Sequence, residues 1–393
     1  MSVNNMSIEQ AYTLINAIHA QATGNQTLTA TDTASFTSVA QATLAAGYEP
    51  VLNAITQVLN RTLIAVRPYS RKFAGLEVTA ERWGGIIRKI NFGDRGAEAD
   101  ATYALVDGSS VDQYEVRKAD VLETRYLGSN VFQGHYTIYT RQLDVAFSSA
   151  EEFGRFMSGL MMHFSNEREQ WLENMSRSLV ANFIGAEISI NNTESVVHLL
   201  TEYNTVTGAS PAFTAQTIRL PANWKPFCQW VYARIAKITR MMSERSEMFQ
   251  QRITGKLIAR HTPLEDQKVY MLADFIESMK AEVMADAFHD NFLRYSDTEE
   301  VSYWQAIDSP DEINLSSCVY IDGSGTVTTA SNVAEDNILG VIFDRDACGY
   351  NIYQDELVTS PYNAAGQYYN IFSHVRVQNQ NDLTEKGCVL LLD

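Results

Sequence analysis

The side chains with the most chemistry to offer are scattered along the chain. Seven histidines stand at His19, His135, His163, His198, His261, His289 and His374. None falls in an HExxH or HxxxH spacing, which would put two imidazoles on one helix face for zinc. His163 is followed one helical turn later by Glu167, which reads as a surface helix pair rather than as two metal ligands. Asp322-Gly323-Ser324-Gly325 has the look of a catalytic loop, but Asp-Gly turns joining two strands are far commoner. Glu299 with Glu300, and Asp344 with Asp346 around Arg345, are the acid–base candidates. The sequence places no histidine or lysine beside them, so they read as exposed charge at strand ends. No GxxxxGK[ST], no GxGxxG after a strand and no GxSxG occurs. Cys228, Cys318, Cys348 and Cys388 lie far apart without a CxxC pair, and read as free thiols of a reducing compartment. These features point away from an enzyme, a metal site or a bound cofactor.

Charge is arranged more tellingly than any catalytic type. Between Arg61 and Lys89 there are seven cations (Arg61, Arg67, Arg71, Lys72, Arg82, Arg88, Lys89) against Glu77 and Glu81, a net of 7 − 2 = +5. Between Asn91 and Thr124 there are eight acids (Asp94, Glu98, Asp100, Asp107, Asp112, Glu115, Asp120, Glu123) against Arg95, Arg117 and Lys118, a net of 3 − 8 = −5. The acidic stretch has little apolar periodicity and three glycines, Gly93, Gly96 and Gly108, so it reads as a long projecting loop or hairpin. Strands are expected on its flanks, at 85–92 and 121–145. Strip and projection could meet within one chain. Carried outward, the projection would lie on the basic strip of a neighbour, and unlike complementary surfaces chain copies into rings or shells. The candidate inter-subunit contacts are therefore Arg67, Arg71, Lys72, Arg88 and Lys89 on one side and Asp94, Glu98 and Asp100 on the other. Tyr69, Phe73 and Trp83 among the cations fit base stacking weakly, but the acids directly downstream favour protein–protein contact.

These residues need elements to hold them. The stretch Ser148 to Gly185 carries Phe153, Phe156, Met157, Leu160, Met161, Phe164, Trp171, Leu172, Met175, Leu179, Val180, Phe183 and Ile184 at steps of three and four. It is predicted as one long helix from Ser149 to Ile184, with a Ser149–Glu152 capping box and Gly185 as its stop. Glu151, Arg155, Asn166, Glu167, Glu169, Glu173 and Arg177 fall on its opposite, polar face. Shorter helices are expected over 7–22, over 34–46 and from Pro50, and together the first ~60 residues read as an arm without a core of its own. After Gly185 the chain is polar and β-leaning to residue 222. Asn223 is the expected cap of a second strong helix with Pro226 in its first turn. LIARHTP and KVYMLA read as strands, 273–287 as a helix, and the rest as strands with a tight turn at Asp322–Gly325. Helices and strands are segregated, which argues an α+β fold.

The chain of 393 residues is 45% hydrophobic and 20% charged, with a net charge of 30 − 47 = −17. That acidity argues against tight nucleic-acid binding and suits a wall that must not hold DNA. No run of ~18 apolar residues suggests a membrane span. MSVNNMSIEQ shows no secretory signal, so none is expected.

In this order the pieces resemble the tailed-phage major capsid protein of the Hong Kong 97 type. The resemblance is carried by LIAVRPYSRKFAGLE (63–77), RKINF (88–92), GSNVFQGHYTIYTRQLDVAFSSAEEFGRFM (128–157), KVYMLADFIESMKAEVMADAFHDN (268–291), VSYWQA (301–306) and NDLTEKGCVLLLD (381–393). It implies an N-terminal arm (1–60), strands with an extended acidic loop (61–147), a peripheral domain with a spine helix (148–220), an axial domain (221–343) and C-terminal return strands (344–393). It implies a shell subunit forming hexamers and pentamers of an icosahedral bacteriophage capsid around double-stranded DNA, assembled in the host cytoplasm and resident in the virion. The partners so implied are the chain itself, a separate scaffolding protein, a portal and decoration proteins, with DNA contacted weakly and no membrane. An encapsulin-type protein nanocompartment shares the fold and is the alternative, followed by an enzyme of unrelated α+β fold.

Overall fold

The computed structural model describes residues 7–62, 71–78, 86–94, 97, 100, 103, 105–114, 116, 118–127, 130–284 and 298–393. The first helix, α1 (Ile8–Thr23), is capped as its sequence requires. Gln10 N donates to Ser7 Oγ at 3.2 Å, and Ser7 N donates to Gln10 Oε1 at 2.9 Å. Helices α2 (Thr33–Ala45) and α3 (Tyr48–Thr62) follow. None of the three is long enough to be stable alone. They solve this by sharing a core: Ile15, Ile18, Phe36, Val39, Leu52 and Ile55 are buried with Phe153, Met157 and Phe164 of the long helix. The N-terminal segment thus has no core of its own and packs on the long helix.

The long helix, α5 (Ala150–Ile190), has 41 residues and is roughly 62 Å long from the 1.5 Å rise of an α-helix. Ser149 Oγ accepts from Glu152 N at 3.2 Å. The helix does not stop at Gly185 but at Asn191, whose left-handed φ of 51° closes it. Gly185 serves packing instead, since a Cβ there would lie 2.7 Å from Leu315 Cδ1. The first half of α5 belongs to the core shared with α1–α3. Its second half, through Leu172, Val180, Phe183 and Ile184, lies in a second and larger core.

Two sheets lie along this beam. β3 (Asn130–Tyr139), β10 (Cys348–Thr359) and β11 (Tyr368–Asn381) form an antiparallel sheet in the order β10-β11-β3, joined to the helix by the short α4 (Thr140–Ala146). Gly134 of β3 lets the sheet close on α5, because a Cβ there would meet the Trp171 ring. The second sheet has the order β4-β12-β9-β5-β6, from β4 (Val196–His198), β12 (Gly387–Leu391), β9 (Ile338–Asp344), β5 (Gln267–Leu272) and β6 (Thr298–Val301). α6 (Leu199–Thr207), α7 (Ala215–Ile218), α8 (Pro221–Ser243) and α9 (Ala273–Met284) complete this part. Two hairpins project as separate two-stranded sheets: β1 (Ile86–Phe92) with β2 (Val121–Leu127), and β7 (Ile313–Ile321) with β8 (Val327–Glu335).

Several expectations are corrected. Residues 186–222 are largely helical rather than β-leaning. The α8 cap is Leu220, with Pro221 in the first turn, so Asn223 and Pro226 both lie inside the helix. LIARHTP is a loop tied back by a bridge between Ser246 and Arg260. The expected strand over 121–145 is divided between two sheets and a helix. Glu169, Glu173 and Arg177 are buried at 7%, 5% and 8% exposure instead of facing solvent, because the 71–77 segment lies over them. There Arg71 Nη1 donates to Glu169 Oε1 at 3.1 Å, Lys72 N donates to Glu173 Oε2 at 2.7 Å, and Arg177 Nη2 donates to Glu173 Oε1 at 2.6 Å.

Candidate assembly surface

The β1–β2 hairpin carries the charge pattern singled out above, and its register runs from Ile86↔Leu127 to Phe92↔Val121. That register sets Arg88 opposite Arg125, a like-charge pair that Glu123 resolves. Arg88 Nε and Arg125 Nε donate to the same Glu123 oxygen at 2.5 and 2.6 Å. The hydrogen bonds from Arg125 and Arg88 hold the Glu123 carboxyl down to about 2.

The hairpin's root is fixed by buried charge. Lys89 Nζ reaches Asp382 Oδ2 at 3.0 Å and also Glu385, while Arg260 Nη1 donates to Glu385 at 2.7 Å and to Asn91 Oδ1 at 3.0 Å. Asp382 is fully buried, and its other oxygen accepts from Thr384 N at 3.0 Å and Thr384 Oγ1 at 2.6 Å. Burial pushes the Asp382 carboxyl up, but the Lys89 ammonium and the Thr384 bonds more than offset it, and it lies below the usual carboxylate range. At the loop end of the two strands, Asp94 pairs with Arg245 and accepts from Ala259 N at 3.1 Å, and Lys256 Nζ donates to Val121 O at 2.6 Å.

The expected contact residues therefore do not form one strip facing one projection. Arg71 pairs with Glu169 of α5 and with Glu77, while Lys72 touches α5 through its backbone N–H and is itself exposed. Lys89 and Asp94 are engaged within the chain, at mid-strand and at the loop end of the hairpin. Arg88 is 56% exposed beside Glu123. Asp100 sits exposed on the loop, its carbonyl accepting from Tyr103 N at 3.2 Å. Arg67 and Glu98 lie outside the described residues.

Charge reading missed the apolar side of the loop. Tyr103, Val106, Tyr114 and Val116 are 93%, 72%, 80% and 80% exposed. The signal was present as bulky residues set among acids without any period that would bury them. Charge also does not mark the cleft of about 730 Å³ beside the Leu127 end of the hairpin, where β2, β3, α5, the β7–β8 hairpin and β11 converge. Phe132 and Trp171 stack in its wall at 6.2 Å between ring centroids. Leu127 and Val327 stand 70% and 68% exposed on its rim.

The groups weighed for catalysis have structural partners. Asp322 Oδ1 accepts from Ser324 Oγ at 2.6 Å, Ser324 N at 2.8 Å and Thr326 N at 3.0 Å, which closes the β7–β8 turn and brings the carboxyl down to about 2. Asp344 accepts from Thr262 Oγ1 at 2.6 Å and Asp346 N at 2.8 Å. Glu300 pairs with Lys280 at 2.6 Å, and His163 with Glu167 at 3.4 Å along one helix face. Among the described residues, no group of three or more histidine, cysteine, aspartate or glutamate side chains could hold a metal ion, and no helix is long and apolar enough to cross a membrane.

Comparison with known proteins locates this architecture. A family model described as Phi29-like phage major capsid protein matches residues 15–390. No curated protein matches the chain. Among solved structures, one from the capsid structure of Staphylococcus phage Andhra superposes with a TM-score of 0.57 at 10% identity, covering 84% of this chain and 86% of that one. A chain from the structure of the head fiber and inner core protein of native bacteriophage P68 superposes with a TM-score of 0.53 at 10% identity, again covering 84% and 86%. At such identity the superpositions speak to the fold alone, and the family model carries the assignment.

Proposed function

Because the chain belongs to the Phi29-like phage major capsid protein family, and is a structural, non-enzymatic subunit of a bacteriophage head shell, we propose that its copies close as hexamers and pentamers around double-stranded DNA. The family match over 15–390 is the observation that carries this reading, and it favours the phage head over a protein nanocompartment. The parts take their places accordingly: α5 is the spine of a peripheral domain, residues 221–343 form the axial domain near the symmetry axes, and the β1–β2 hairpin extends toward a neighbour. Of the charged residues considered for contacts, Lys72, Arg88 and Asp100 stand at the surface and serve orientation between copies, since exposed pairs specify geometry more than they add affinity. The net charge of −17 gives a wall that repels packaged DNA and leaves it mobile. A separate scaffolding protein, a portal and decoration proteins are the further partners, met during assembly in the host cytoplasm.

Negative-stain electron microscopy of the purified protein, expressed alone and with its neighbouring genes, tests the reading. Closed shells, or rings of six and five, are expected. A uniform monomer or dimer under both conditions would overturn it.

A further inference from the structure

We propose that the open edge of β8 joins the same edge of a second copy about a two-fold axis, so that two β7–β8 hairpins become one four-stranded antiparallel sheet. The proposal rests on the shell reading and names a contact which that reading leaves unassigned. The register of the hairpin sets Val319 opposite Thr329. Val319 N donates to Asn182 Oδ1 at 3.1 Å, and Val319 O accepts from Asn182 Nδ2 at 3.2 Å. Both backbone groups of Val319 therefore point away from β8, and a side chain of α5 meets them. Residues opposite each other in an antiparallel pair turn their backbone groups the same way, either toward one another or apart. Thr329 thus points its N–H and C=O outward as well, and so do Val327 and Ser331, two residues to either side. Val327 is 68% exposed, and Thr329 and Ser331 are exposed. Among the described residues, no backbone hydrogen bond reaches these three from outside the hairpin. Asn182 closes the β7 edge, and the β8 edge stays open.

The edge is matched to itself. Its outward groups lie symmetrically about Thr329. An antiparallel partner centred there sets Thr329 against Thr329, and Val327 against Ser331 in both directions. Each of these pairs exchanges two hydrogen bonds. Residues 327–331 carry no charge, so a chain of net charge −17 opposes no like charges in this contact. Thr–Thr pairs across strands are favourable. β8 also lacks the lysine and proline with which natural proteins blunt an exposed edge. Its one irregularity is Asn332, whose left-handed φ of 54° interrupts the ladder and confines pairing to the residues before it. A surface that binds its own copy is isologous, and one two-fold satisfies both edges at once. On the shell reading, two-folds relate subunits of adjoining rings, so the contact ties ring to ring.

Cysteine pairing in assembled particles tests this. The four native cysteines are buried. Thr329→Cys brings two thiols together on the two-fold, with Cα atoms about 5.5 Å apart, inside the span that a disulfide bridges. Oxidation with copper phenanthroline is expected to convert most of these subunits to dimers on a non-reducing gel. Val327→Cys and Ser331→Cys, each assembled alone, hold like positions about 13 Å apart along the strands. Each alone is expected to give at least fivefold less dimer, and the two co-assembled are expected to cross-link. No dimer from Thr329→Cys particles, or equal yields from all three variants alone, would refute the pairing. A further variant, Thr329→Pro, removes an outward N–H that β7 does not use. It is expected to lower particle yield at least tenfold with an unchanged melting temperature of the isolated subunit, and a normal yield would equally refute the pairing. If the unmodified protein forms no particles, the shell reading fails instead, and the cysteine bands, read on concentrated subunits, decide the pairing alone.

Discussion

Replacing Lys89 with methionine isolates what holds the projecting hairpin to the body. Lys89→Met keeps the aliphatic stem and removes the ammonium that faces Asp382 and Glu385. Asp382 is fully buried, so the variant has two ways to respond. It can keep a buried carboxylate with one cation fewer, a change that typically costs about 3–5 kcal/mol. Or it can protonate Asp382. From an ordinary carboxylate pKa near 3.9, that costs about 4 kcal/mol at pH 7 but only about 1.5 kcal/mol at pH 5, at roughly 1.4 kcal/mol per pH unit. The cheaper route sets the penalty. Asp382 lies below its ordinary range in the parent protein. Its stabilisation is therefore present above the unfolded pKa and fades as pH falls through the folded one. That term is whole in the parent at both pH 7 and pH 5, so the gap narrows on acidification because the variant's folded state takes up a proton at Asp382 that its unfolded state has released. Urea unfolding of isolated subunits at pH 7 and pH 5 measures it. A penalty of about 4 kcal/mol shrinking to about 1.5 kcal/mol is expected. A penalty below about 1 kcal/mol at pH 7, of the size of a surface pair, would show that the root is not held by buried charge. A penalty equal at both pH values would show that Asp382 does not take the proton.

Other variants probe other parts of the fold. Glu187 is fully buried, with Oε1 unpartnered, and burial pushes its carboxyl up to about 8 against a hydrogen bond from Ser195. A raised folded pKa means that stability falls as pH rises from the ordinary carboxylate range to about 8. Glu187→Gln should therefore melt higher than the parent at pH 9 and nearly alike at pH 4, and a lower melting temperature at pH 9 would refute the neutral-acid reading. Arg71→Ala removes the partner of a nine-tenths buried Glu169 and should cost about 3 kcal/mol in urea unfolding. Arg155→Ala breaks only exposed pairs with Glu151 and Glu152 and should cost under about 1 kcal/mol. Gly185→Val forces a methyl against Leu315 and should cost about 1–3 kcal/mol, or shift the β7–β8 hairpin enough to be seen by hydrogen exchange.

Periodicity made the frame legible. The stripe from Phe153 to Ile184 specified the spine helix, and the β-formers flanking the acidic stretch specified the strands of its hairpin, because both signals are local. What failed was long-range. Glu169, Glu173 and Arg177 sit at positions that helical spacing marks as solvent-facing, and segments far away in the chain bury them: Arg71 and Lys72 meet Glu169 and Glu173, and Phe73 and Tyr303 cover Arg177. Gly185 looked like a stop for the same reason: its role is set by Leu315, which no local pattern places beside it. In the candidate surface, segregated charge correctly marked the hairpin. It could not separate cations spent inside the subunit, such as Lys89, from those left at the surface, such as Arg88. The cleft was invisible because elements far apart in sequence build it.

The order of strands in the larger sheet bears on when a subunit becomes competent. β4 joins that sheet only through β12, which lies buried between β4 and β9 and is encoded about 190 residues after β4. During synthesis β4 and one edge of β9 therefore stay unpaired until residues 387–391 have been made. Pairings so distant in sequence are slow to form, and open edges attract other chains. The larger sheet is thus bolted together by a strand made long after the one it secures, and the body around it is completed only once β12 has been added.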